Sequence, residues 1–107
     1  MSTFDDRKKA EEARQALKEE LCFKAEARRN KLIGLWAAER MGHADPAAYA
    51  REVVVAALEL PGDDDIAGKV LGDLEAAGQP ITLAEFHKLA DAYFAVAQEQ
   101  VMQDVKG

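Results

Sequence analysis

The placement of its helix breakers constrains this chain more than any other feature. No Gly or Pro occurs before Gly34. Gly42 and Gly78 then follow apolar-periodic stretches, where a C-terminal cap is needed and Gly enters the left-handed region without steric cost. Pro46 stands at a first helical position, where its missing N–H costs nothing, and Asp45 before it can cap. "PGDDD" (61–65) ends one stretch and begins another. Thr82 and Glu85 form a T-x-x-E capping box, with Ile81 placed to pack on Phe86 as a hydrophobic staple. The chain therefore reads as all-α, a four-helix bundle. Its long first helix starts at Thr3 or Asp5 and ends near Met41.

Apolar spacing supports four helices and shows where the core begins. Phe86, Leu89, Tyr93, Val96 and Ala97 recur on one helical face, as do Tyr49, Val53, Ala57 and Leu60. Ile66, Val70, Leu71 and Leu74 do the same in the third helix. In the first helix, Leu21, Ala25, Leu32 and Leu35 recur only after Glu20. The preceding "FDDRKKAEEARQALKEE" (4–20) has strong helix formers and no core-facing stripe. Asp5–Lys9, Arg7–Glu11, Lys8–Glu12 and Glu20–Lys24 are four apart, each worth about 0.2–0.5 kcal/mol. Arg14 and Lys18 repel at the same spacing. A segment without packing is marginal as a helix. The expectation is an N-terminal arm, 1–20, frayed or disordered when free and helical on a partner, followed by a bundle from 21 to 107.

A length of 107 residues suits one domain, and 49% apolar with 32% charged residues suits a globular protein with a highly charged surface. The net charge of −6 is unevenly placed. Up to Met41 Lys and Arg outnumber Asp and Glu, while the remainder is strongly acidic. A dipolar chain of this kind suits a charged protein partner and disfavours nucleic acid. Cys22 is the sole cysteine, so no internal disulfide forms and a reducing cytosol fits. The charged start and the lack of a spanning run read as cytoplasmic, with no membrane insertion.

Catalytic and metal chemistry find little support. His43 and His87 have no His or Cys at ligand spacing, and helix-end or surface roles account for them better. The acidic run 63–65 lacks the alternating oxygens and central Gly of a calcium loop, and the helix dipole explains it. "PGDDDIAGK" lacks phosphate-loop spacing. No nucleophile has an arguable base, so the chain is read as a non-enzyme with no metal site. "KAEARRNK" (24–31) concentrates positive charge within two turns. Lys24, Arg28, Arg29 and Lys31 suit a nucleotide phosphate or an acidic partner surface, or simply form a solvated face. Trp36, close to Gly34 and followed by Ala37 and Ala38, reads as core where a helix approaches closely.

"FDDR", "ARRNKLIGLWAAE" (27–39), "YAREVV", "PGDDD", the Leu71–Gly78 stretch and "AVAQEQV" (95–101) give a specific likeness. The chain resembles the zeta subunit family of alphaproteobacterial ATP synthases, inhibitors of the rotary catalytic head. The likeness covers essentially the whole chain. It implies an inhibitory arm that wedges at a catalytic α/β interface beside the central stalk subunit γ and arrests ATP hydrolysis. Carried over, the partner-binding arm includes Phe4, Asp5, Asp6, Arg7, Arg14, Leu17 and Leu21, and the bundle helps anchor it through Arg28, Arg29 and Lys31. The resemblance also implies a monomer when free, peripheral to the inner-membrane synthase. It implies no required cofactor and weak ADP or ATP binding, for which Lys24, Arg28, Arg29 and Lys31 are the candidates. Family members often carry aromatics where this chain has Glu11 and Gln15. The competing readings are an adenine-nucleotide-binding or sensing bundle with little inhibitory activity, and a small adaptor.

Overall fold

The computed structural model describes the backbone of residues 3–59 and 63–106 and the side chains of residues 18–59 and 66–104. Four helices follow one another: α1 (Thr3–Met41), α2 (Pro46–Glu59), α3 (Asp63–Ala76) and α4 (Leu83–Lys106). The all-α expectation holds. Of the arm, Phe4, Asp5, Asp6, Arg7, Arg14 and Leu17 lie outside the described side chains, as does Leu60 of the expected α2 face.

The helix ends are built as the breakers require. Gly42 and Gly78 have φ of 71° and 77°. Each closes its helix with a paired motif: His43 N–H donates to Ala38 O at 2.8 Å and Gly42 N–H to Glu39 O at 3.1 Å. Gln79 and Gly78 repeat the pattern on Leu74 O and Glu75 O. At the start of α2, Asp45 Oδ1 accepts from Ala48 N–H at 3.2 Å. At the start of α4, Thr82 Oγ1 accepts from Glu85 N–H at 3.1 Å. Ile81 packs against the cluster that contains Phe86.

α1 is the spine, packed chiefly against α2 and α4, with α3 closing the bundle. The main core joins Ile33, Ala37, Tyr49, Val53, Val70, Leu74 and Phe86. A smaller cluster farther toward the start of α1 joins Ala25 to Ala97 and Val101, with Leu21, Leu32 and Phe94 against it. Fully buried side chains such as Ile33, Val53 and Leu74 each contribute about 1.5–3 kcal/mol. Lys18, Glu19 and Glu20 are exposed, and Leu21 is the first described residue of α1 that packs.

Two core assignments differ from the spacing read in sequence. Val96 is 43% exposed. The buried track of α4 runs through Phe86, Ala97 and Val101 with Ala90 and Tyr93 beside it, and Val96 lies about 100° around the helix from Ala97. On α1, Leu21, Leu32 and Leu35 are only half-buried, whereas Ile33, Ala37 and Ala38 are sealed. The run "LIGLWAA" is apolar on every side, so periodicity cannot say which residues face inward there. Trp36 packs on the main cluster but is half-buried, with the Arg40 guanidinium 5.5 Å from its ring centroid.

Candidate functional site

The cationic stretch of α1 is divided by helix geometry. Phe23, Ala27 and Lys31 are four apart, so they stack on one face, with Lys24 and Arg28 beside them. Together with Val54 of α2 and Val101 and Asp104 of α4 they line an open cavity of about 700 Å³. Arg28 Nη2 pairs with Asp104 Oδ2 at 2.9 Å, tying α1 to the end of α4. Lys24 Nζ pairs with Glu20 Oε1 at 3.3 Å, one turn back. Both pairs are open to water, where such bridges contribute about 0–1 kcal/mol.

Arg29 is turned elsewhere. Its Nε and Nη2 donate to Asn30 Oδ1 at 3.1 and 3.0 Å, and its guanidinium lies 5.8 Å from the Phe94 ring centroid of α4. Asn30 is 5% exposed, the only buried polar residue among those described. Arg29 thus satisfies a buried acceptor and fastens α1 to α4. The structure brings Lys24, Arg28 and Lys31 to one cavity and separates Arg29 from them. Leu21 is half-buried on the small α1–α4 cluster, so that side chain already has an intramolecular partner.

Phe23, Val54, Val101 and Asp104 were not singled out in sequence. Phe23 is 60% exposed, and its spacing to Ala27 and Lys31 was available as a signal. Nothing local places Asp104 beside Arg28, because that contact depends on how α4 packs.

The two histidines and the group around Tyr49 read as structural. His43 Nδ1 accepts from Asp45 N–H at 3.0 Å, and its ring lies 5.7 Å from that of Tyr49. His87 is exposed, its ring edge-on to Phe86. Tyr49 donates its hydroxyl to Asp73 Oδ2 at 2.8 Å, and Lys69 Nζ reaches the same oxygen at 3.2 Å while lying 5.3 Å from the Tyr49 ring centroid. This group links α2 to α3. Burial, then the hydrogen bond to Asp73, then the charges of Asp73 and Glu52 push the Tyr49 phenol well above its ordinary range. Among the described residues no group of three His, Cys, Asp or Glu side chains is placed to hold a metal. None of the described helices is long and apolar enough to cross a membrane.

The family model for ATPase inhibitor subunit zeta matches residues 1–100, from ahead of α1 to well along α4. The chain belongs to that family. The likeness carried by "ARRNKLIGLWAAE" therefore holds. Membership makes this zeta-family chain a non-enzymatic regulator that binds and inhibits the F-type ATP synthase. No individually curated protein matches it.

Proposed function

We propose that the first twenty residues of this zeta-family chain are the inhibitory element, inserted as a helix at a catalytic α/β interface beside the γ stalk. The carrying observation is the exposure of the described residues just ahead of Leu21. Lys18, Glu19 and Glu20 are exposed and Leu21 is the first described residue held by the bundle. The sequence ahead of it, "FDDRKKAEEARQALKEE", has no apolar stripe for a core. A rotary catalytic interface must open and close in each hydrolytic cycle. A helix lodged in it blocks closure mechanically and needs no chemistry of its own. Phe4 and Leu17 supply apolar contacts, and Asp5, Asp6, Arg7 and Arg14 supply charge pairs. The bundle remains outside as an anchor, on the cytoplasmic side of the membrane and peripheral to the synthase.

The test is ATP hydrolysis by the cognate catalytic head with full-length protein and with a variant lacking residues 1–19. Full-length protein inhibits, and the truncated one does not while keeping its helical content and cooperative melt. Equal inhibition by a folded truncated variant overturns the reading.

A second reading is favoured by the cavity that gathers Phe23, Lys24, Arg28 and Lys31. An exposed aromatic beside three cations suits a stacked base and its phosphates, so weak ADP or ATP binding belongs there. Titration with ADP, followed by amide shifts, tests it. Shifts confined to Lys24–Lys31 and the end of α4 support it, and their absence at millimolar ADP rejects it.

A further inference from the structure

α2 is apolar on two faces, and the bundle covers only one. Tyr49, Ala50 and Val53 point inward and are buried. On the outer side Val55 is 48% and Leu58 68% exposed. Positions 47, 51, 54, 55 and 58 have the spacing of a single helical face. A helix apolar on both sides is ordinarily covered on both sides. Ala47, Ala50, Arg51, Val54 and Val55, with Lys31 of α1, line a groove of about 430 Å³ between the two helices. Lys31 and Val54 also line the larger cavity that holds Phe23, so the two depressions adjoin.

The charge around this groove opposes that of the chain. The protein carries −6 overall, yet Lys31 and Arg51 flank the groove and no carboxylate of the described residues lines it. Neither cation forms an ion pair among the described residues. Lys24 and Arg28 lie beyond it, each already paired with a carboxylate, so Lys31 and Arg51 carry the charge of the groove. On the flank toward α3 the charges are mixed: Glu52 and Glu59 line a second depression with Lys69, and Arg51 and Val55 border both. The field therefore favours an anionic occupant on the α1 side of α2.

We propose that the α1–α2 groove docks an acidic amphipathic helix of a protein partner. Its apolar anchor packs on Val54 and Val55, and its carboxylates pair with Lys31 and Arg51. A wholly apolar occupant would desolvate two cations without compensation. A simple polyanion would leave the valine floor unused. An amphipathic helix satisfies both, in the familiar helix-in-groove mode. The site is separate from the arm, and its test does not depend on inhibition.

The experiment uses full-length protein and a labelled synthetic peptide of about four helical turns, with Leu at i, i+4, i+7 and i+11 and Glu beside them. A control peptide carries Lys at each Glu position. Fluorescence anisotropy is expected to give saturable binding at least tenfold tighter for the Glu peptide, weakening as salt is raised. Val55→Glu and the pair Lys31→Glu with Arg51→Glu each reduce binding at least tenfold. Val55→Ala and Arg51→Gln, both at exposed positions, serve if the charge reversals lower the melting temperature. Equal binding of the two peptides, or Glu-peptide binding unaffected by these substitutions, overturns the proposal. So does concentration-dependent self-association abolished by Val55→Glu, which would assign the face to a second copy of the chain.

Discussion

Gly34 on α1 and Ala50 on α2 meet backbone to backbone. A Cβ built on Gly34 would stand 2.6 Å from the Ala50 Cα, 3.2 Å from its Cβ and 3.3 Å from Val53 Cγ2. The obstacle is main chain, so a flexible side chain cannot simply move aside. This close approach sets the spacing of the two helices that flank the groove and that seal Ile33, Ala37 and Val53.

Gly34→Ala is therefore expected to destabilise, although Ala is the better helix former by about 1 kcal/mol. Forcing the helices apart costs about 1–3 kcal/mol and loosens the neighbouring core as well. The net effect is a loss of up to about 2 kcal/mol, read in chemical denaturation. An equal or higher midpoint would show that α2 shifts freely.

Arg29→Ala leaves the buried Asn30 Oδ1 without two donors and removes the stack on Phe94. An unsatisfied buried acceptor costs about 1–3 kcal/mol. Arg28→Ala breaks an exposed pair with Asp104 and costs less than about 1 kcal/mol. The two neighbours thus separate by effect in a thermal melt, Arg29 acting on stability and Arg28 on the cavity.

Alkaline pH tests the Tyr49–Asp73 contact. The folded phenol has its pKa raised above the unfolded value of about 10. The fold favours the protonated form, so the contribution is complete below about pH 10 and is lost as pH rises through the folded value. Stability is expected to fall more steeply above about pH 10 in the native sequence than in Tyr49→Phe. Ultraviolet titration of a Tyr93→Phe protein reports Tyr49 alone, and Asp73→Asn is expected to bring its transition down.

The arm supplies a prediction about inhibition. Buried aromatics dominate many interfaces, and ordering a segment costs about 2–5 kcal/mol. Glu11→Phe with Gln15→Tyr is expected to lower the concentration for half-inhibition of ATP hydrolysis by at least tenfold. An unchanged value would place the arm's contacts elsewhere. No His precedes His43, so inhibition is expected to lack a His-driven change near neutral pH within the arm. A steep change that survives His43→Ala would contradict this.

Much of the architecture was legible because it is local. Gly42, Pro46, Gly78 and the Thr82–Glu85 box act through backbone conformation and hydrogen bonds within one turn, and their own residues carry that information. The lack of an apolar stripe before Leu21, and the family likeness of "ARRNKLIGLWAAE", are likewise properties of the residues. What tertiary structure decided is which equivalent-looking residues face inward. In "LIGLWAA" every side is apolar, and only packing against the other helices, with α2 docked at Gly34, selects Ile33, Ala37 and Ala38 for burial. Arg28 and Arg29 are alike in sequence, yet one turn angle sends the first to Asp104 and the second to Asn30 and Phe94. The sequence marked one apolar face of α2, and the structure shows Val55 and Leu58 exposed on another. Local rules specify helices and their ends, while the choice among packable faces belongs to contacts distant in the chain.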